Sequence, residues 1–294
     1  MRRNKMLRDM SLQAFFVGPA TLAFAVIVLL PFLMSIYYSF TEWNGVSSDM
    51  KWVGIANYTT ILTEDDSFLH SFGFTVRFTV ASVVLTNVLG FLLALLLTQA
   101  LKMRNVLRTI FFMPNVIGGL LLGFIWQFIF VKGFATIGEM TGIGFFQLPW
   151  LGDAATGFWG LIIVSVWQSA GYLMIIYIAA LSNVPKDVTE AARIDGATRL
   201  QMLRHITVPL IMPAVTVCLF LAISWAFKMF DLNMSLTKGG PFGSTESIAM
   251  NIYQDAFRNN QLGLGSAKSV IFFAAVALVT LLQVSFTKKR EVEA

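Results

Sequence analysis

The sequence predicts an all-α polytopic membrane protein with six transmembrane helices and both termini cytoplasmic. Three observations lead there. Of 294 residues, 56% are hydrophobic and 13% charged, with a mean hydropathy of +0.72, more apolar surface than a soluble domain hides. Six apolar stretches are each long enough to cross about 30 Å of hydrocarbon at about 1.5 Å per residue. Lysine and arginine collect on alternate connections, as the bias of cytoplasmic loops requires.

The spans are read at 14–38, 72–101, 110–131, 157–181, 209–230 and 264–286. Each is helical, because backbone groups in lipid bond within their own segment, and Pro19, Pro31, Pro114 and Pro213 are tolerated within or near them. Arg2, Arg3, Lys5 and Arg8 precede the first stretch, which is too long for a signal-peptide core and is followed by no convincing cleavage site. The first span is therefore expected to be a retained anchor. Segment 41–71 is short for a domain and is read as a pair of surface helices. Segments 132–156 and 232–263 are rich in glycine and polar residues, and no repeat period is visible.

Orientation follows from the cations. One side receives Arg2, Arg3, Lys5, Arg8, Lys102, Arg104, Arg108, Lys186, Arg193, Arg199, Arg204, Lys288, Lys289 and Arg290. The other has Lys51, Arg77, Lys132, Lys228, Lys238, Arg258 and Lys268. The division, 14 against 7, places 1–13 and the 288–294 tail in the cytoplasm, on either side of a six-span membrane domain at 14–287, with a cytoplasmic loop at 182–208. Trp43, Trp52, Trp150 and Trp159 fall near the outer boundaries, where aromatic rings favour the interface.

Chemistry is sparse. His70 and His205 fall on opposite sides and cannot share a metal, and there is no HExxH, CxxC, phosphate loop or intramembrane carboxylate pair. No catalytic residue, metal ligand or bound cofactor is expected. The net charge of +5 is explained by where the cations lie rather than by nucleic acid. Cys218 reads as a small buried hydrophobe, and Gly118, Gly119 and Gly123 as sites of close helix packing. Lys228 and Asp231 stand one helical turn apart, either as an interfacial ion pair or as polar lining. So little buried charge argues against a proton-driven carrier. Asn115, then Trp167, Gln168, Ser169 and Tyr172, then Ser224 and Trp225 place amides, hydroxyls and aromatic faces in spans three to five. That set suits sugar C–H faces and hydroxyls, and equally suits the polar packing of membrane helices.

The segment Glu190-Ala191-Ala192-Arg193-Ile194-Asp195-Gly196-Ala197, with Ile206 and Val208-Pro209 after it, reads as a helix starting near the two alanines, a turn at Gly196, and a new helix with Pro209 in its first turn. Glu-Ala-Ala, three positions, Gly, nine positions, Ile, one position, Leu-Pro resembles the pattern of permease subunits of binding-protein-dependent ABC importers, with valine here for leucine. Phe40-Thr41-Glu42-Trp43-Asn44-Gly45, Val53-Gly54-Ile55-Ala56-Asn57-Tyr58 and Leu236-Thr237-Lys238-Gly239-Gly240-Pro241 with Thr245-Glu246 are similar to the first permease of the carbohydrate-uptake branch, the maltose, lactose, multiple-sugar and glycerol-phosphate group.

The resemblance implies a type I ABC importer permease fold in a bacterial cell membrane, paired as a heterodimer with a second homologous permease. It implies two ATPase subunits carrying the ATP and Mg, and an extracytoplasmic binding protein delivering a sugar, expected to be an oligosaccharide. Glu190, Ala191, Ala192, Asp195, Gly196, Ala197, Ile206 and Pro209 would couple to the ATPase. Asn115, Gly119, Gln168, Ser169, Tyr172, Trp225 and Met229 would meet the sugar. A phosphorylated polyol, with Lys228 or Arg77 facing the path, stays open, as does a self-contained secondary carrier.

Overall fold

The computed structural model describes residues 15–290. The cationic start (Arg2, Arg3, Lys5, Arg8) lies outside them. In chain order the helices are α1 (Phe15–Tyr38), α2 (Ala56–Thr63), α3 (Asp66–Leu97), α4 (Arg104–Val116), α5 (Gly119–Thr141), the single turn α6 (Gly144–Gln147), α7 (Ala154–Ser182), α8 (Lys186–Ile194), α9 (Arg199–Leu210), α10 (Met212–Phe227), α11 (Asp231–Leu236), α12 (Ile248–Tyr253) and α13 (Leu262–Lys288). α1, α3, α5, α7 and α13 are each long and apolar enough to cross a membrane, and α9 with α10, bent by 73°, makes a sixth if the pair is one span.

The chain forms two compact units. The first is built from residues before Asp66 and from Ile252–Phe273. Its 41–71 stretch is not the expected pair of helices. Thr41–Glu42 (β1) pairs antiparallel with Lys51–Trp52 (β2), and only α2 follows before the next unit begins. The reason lies in Asn44, whose Oδ1 accepts from the Val46 and Ser47 amides, while Gly45 takes φ +85°. That turn closes a hairpin rather than a helix. Asn57 Nδ2 then donates to the Ser39 and Thr41 carbonyls at 2.9 Å each. Lys268, counted above among the cations of the second side, is 1% exposed; it pairs with Asp65 at 2.6 Å and also with Asp255.

The second unit, Asp66–Asn251 with the chain after Phe273, holds the helical core. α3 packs along α7, with α4 against α7, α10 against α3, and α11 against α5. α3 buries a stripe at three- and four-residue spacing, through Ser71, Thr75, Thr79, Ser82, Thr86, Gly90 and Ala94. Small residues let the backbones approach, as membrane helices require in the absence of a hydrophobic drive between them. Tyr177 on α7 donates from its hydroxyl to Asn87 Oδ1 at 2.8 Å. Cys218 is fully buried. Trp150 is buried, stacked on Phe130 at 5.0 Å with its indole N–H on the Phe145 carbonyl.

Two helices carry a proline just after a wide turn. In α1 the Leu30 amide bonds the Ala25 carbonyl, five residues back, and Pro31 follows; in α9 the Val208 amide bonds the Leu203 carbonyl, and Pro209 follows. A proline ring clashes with the carbonyl four residues before it. Widening the preceding turn displaces that carbonyl and lets the helix continue. Pro209 therefore sits near the end of α9, not in the first turn of a new helix. The bend falls at Ile211, and Pro213 occupies the first turn of α10.

Candidate functional site

The predicted third span is broken. α4 ends at Val116, Ile117 and Gly118 are extended (ψ 125° and 141°), and α5 begins at Gly119. Pro114 supplies no amide to the helix, and the Ile117 amide turns back to its carbonyl. The break exposes the Ile117 carbonyl, and Gln168 Nε2 on α7 donates to it at 3.0 Å. Gln168 thus satisfies backbone that the interrupted helix leaves open.

Tyr172, Trp225, Gly119 and Asn115 lie near this break. Tyr172, one helical turn beyond Gln168, meets the Trp225 ring edge-to-face at 5.3 Å and lies over Phe112 of α4 at 6.3 Å. Gly119 packs on Asp231: a Cβ there would lie 3.1 Å from the Asp231 Cβ. Ser235 donates to the Asp231 carbonyl at 2.7 Å and reaches the Gly119 carbonyl at 3.4 Å. Met229 is 8% exposed, its carbonyl accepting from Ser247 Oγ at 2.8 Å. Asn115 lies in the last turn of α4, and Ser169 follows Gln168, both half-buried.

Gly119 and Gly123 are close-packing sites as expected, whereas Gly118 meets nothing within 4 Å and serves the break instead. Lys228 and Asp231 form no ion pair among the described residues; Lys228 caps the end of α10 and Asp231 opens α11, both exposed. Phe112, Ser235 and the Ile117 carbonyl were not singled out by sequence. The first two read as ordinary span residues, and a carbonyl released by a break has no side-chain signal.

The Glu190 segment begins earlier than expected. α8 starts at Lys186 after Pro185, so Glu190, Ala191 and Ala192 lie in its middle. Its end is a Schellman turn: Gly196 at φ +81° donates to the Arg193 carbonyl and Ala197 to the Ala192 carbonyl. Thr198 caps α9 by a reciprocal box with Gln201. α8 and α9 carry exposed apolar side chains, Ile194 at 86% and Leu200 at 71% exposure, beside exposed Glu190 and Asp195. Ile206 and Pro209 are half-buried in α9.

Apolar helices around a broken span, with an exposed amphipathic arm, define a polytopic membrane protein of the permease class. The family model described as "Binding-protein-dependent transport system inner membrane component" matches residues 86–291, and the chain belongs to that family. It is a multi-pass inner-membrane protein with the permease fold of type I ABC importers. It is 48% identical over 278 residues to the "Probable starch degradation products transport system permease protein AmyD" of Thermoanaerobacterium thermosulfurigenes, covering 95% of this chain and 94% of that one. It is 33% identical to the "Multiple sugar-binding transport system permease protein MsmF" of Streptococcus mutans, covering 95% of each. Among solved structures, a chain of "a bacterial ABC transporter involved in the import of the acidic polysaccharide alginate" superposes with TM-score 0.83 at 20% identity, covering 98% and 99% of the two chains, a likeness of fold.

Proposed function

We propose that this chain forms, with a second homologous permease, the translocation path of an ATP-driven importer for a sugar, in particular an oligosaccharide. The carrying observation is the convergence of Gln168, Tyr172 and Trp225 at a helix break. Aromatic faces suit sugar C–H surfaces and the amide suits hydroxyls. The names of relatives at 48% and 33% identity, for starch degradation products and multiple sugars, support the same substrate class. In this reading Asn115, Gly119, Ser169 and Met229 complete the lining.

Coupling runs through α8 and α9, on the cytoplasmic side with both termini. Glu190 and Asp195 offer charge, Ile194 and Leu200 offer exposed apolar surface, and Gly196 sets the angle between the helices. An ATPase subunit docks there, and two such subunits hold the ATP and Mg. Closure of that pair biases the permease toward one access state because the two states differ in their ATPase contacts. A binding protein on the opposite face delivers the sugar.

The test uses the full importer reconstituted in vesicles. Trp225→Ala is expected to lower uptake at limiting sugar while basal ATP hydrolysis persists; unchanged uptake removes Trp225 from the path. Glu190→Lys is expected to insert normally but lose sugar-stimulated hydrolysis, and normal stimulation refutes the docking role.

A further inference from the structure

We propose that a pocket beside α3 and the start of α7, away from the helix break, holds the phosphate of an anionic membrane phospholipid, with Arg77 as its principal cation. The pocket has a volume of about 370 Å³ and is lined by His70, Phe74 and Arg77 of α3, by Phe158 and Trp159 of α7, and by Ser244. No acidic side chain lines it among the described residues; nearby Asp153 caps α7 by accepting from the Ala155 amide.

Three features point to a phosphate at the lipid head-group level. The first is depth. Arg77 lies twenty residues before the end of α3 at Leu97, about 30 Å along the helix, which is about the thickness of the hydrocarbon layer. Trp159 lies twenty-three residues before the end of α7, about 35 Å, and is 50% exposed, as befits an interfacial ring. If the far ends of both helices meet one edge of the hydrocarbon, both side chains meet the other.

The second feature is unmatched charge. Arg77 donates from Nε to the Gly73 carbonyl at 3.2 Å, and it pairs with no carboxylate among the described residues. A guanidinium fork matches phosphate oxygens in pairs. The third is an orphan donor: the Ser244 hydroxyl is buried without a partner. A buried hydroxyl without a partner is costly, and a phosphate oxygen would satisfy it. The rings of Phe158 and Trp159 would lie along the glycerol and upper acyl chain, backed by the buried Phe74.

The test purifies the full chain, in the assembly it forms, from mixed phosphatidylglycerol and phosphatidylcholine, and counts retained lipid by native mass spectrometry. The wild type is expected to retain phosphatidylglycerol, and Arg77→Gln to retain roughly tenfold less, as loss of a charge-assisted bond implies. Arg77→Lys is expected to restore part of it. Ser244→Ala, expected to retain roughly threefold less, serves if Arg77→Gln does not fold. Equal retention by the wild type and these variants overturns the proposal. Displacement of the lipid by glycerol phosphate would assign the pocket to a soluble phosphate and overturn the lipid. Loss of a co-purifying subunit from Arg77→Gln, with lipid retention unchanged, would make Arg77 a protein contact and overturn it as well.

Discussion

A Cβ added at Gly171 would lie 1.8 Å from the Phe111 carbonyl oxygen, so α4 crosses α7 where no side chain fits. Gly196 is constrained differently: its surroundings are open, but φ +81° disfavours any L side chain. Gly171→Ala must separate the two backbones, at a cost of about 3 kcal/mol. Gly196→Ala costs about 1 kcal/mol, the penalty of a left-handed residue with a Cβ. Thermal unfolding of the purified assembly is expected to show a large fall in midpoint for the first and a small one for the second. Equal midpoints would mean that α4 and α7 do not cross this closely. Tyr177→Phe removes the donor to the half-buried Asn87 side-chain oxygen, and is expected to cost about 1 kcal/mol by the same measurement.

At the scale of elements, the broken span depends on a neighbour. Gln168→Leu removes the donor to the Ile117 carbonyl and leaves that group unsatisfied, at a cost of about 1–3 kcal/mol. Amide hydrogen exchange in the first turn of α5 is expected to quicken in that variant. Unchanged exchange at Leu122, whose amide bonds the Gly118 carbonyl, would mean the break is held by something else. This element also marks where sequence reading stopped. Hydropathy found the apolar stretch around Pro114, but it is blind to an interruption within apolar residues, since Ile117 and Gly118 look like any others in the run. Pro209 misled for a related reason: a proline at the head of an apolar run looks like a helix start, and only the widened turn before it lets α9 continue. The turn at Gly196 was legible, because a left-handed backbone torsion is written in residue type.

At the scale of the molecule, Lys268 gathers Asp65 and Asp255 from distant parts of the chain, all three largely buried. No local pattern announces such a pairing, which is why Lys268 counted only as one more cation of its side. Lys268→Met leaves two carboxylates without their counter-charge and is expected to destabilise by about 3–5 kcal/mol. Adding Asp65→Asn and Asp255→Asn is expected to recover most of that loss. A triple variant no more stable than Lys268→Met, in the same unfolding measurement, would show that packing rather than charge balance holds this cluster.

The first compact unit draws on residues before Asp66 and on Ile252–Phe273, so it cannot close while the chain is only partly made. A ribosome adding about 5–20 residues per second needs roughly ten to forty seconds to cross the stretch between them. For that interval Asp65 waits near the start of α3 without the lysine that will neutralise it. A nascent chain halted before Lys268 would therefore carry an unfinished first unit, and a membrane quality-control protease would meet its exposed hairpin before any transporter could assemble.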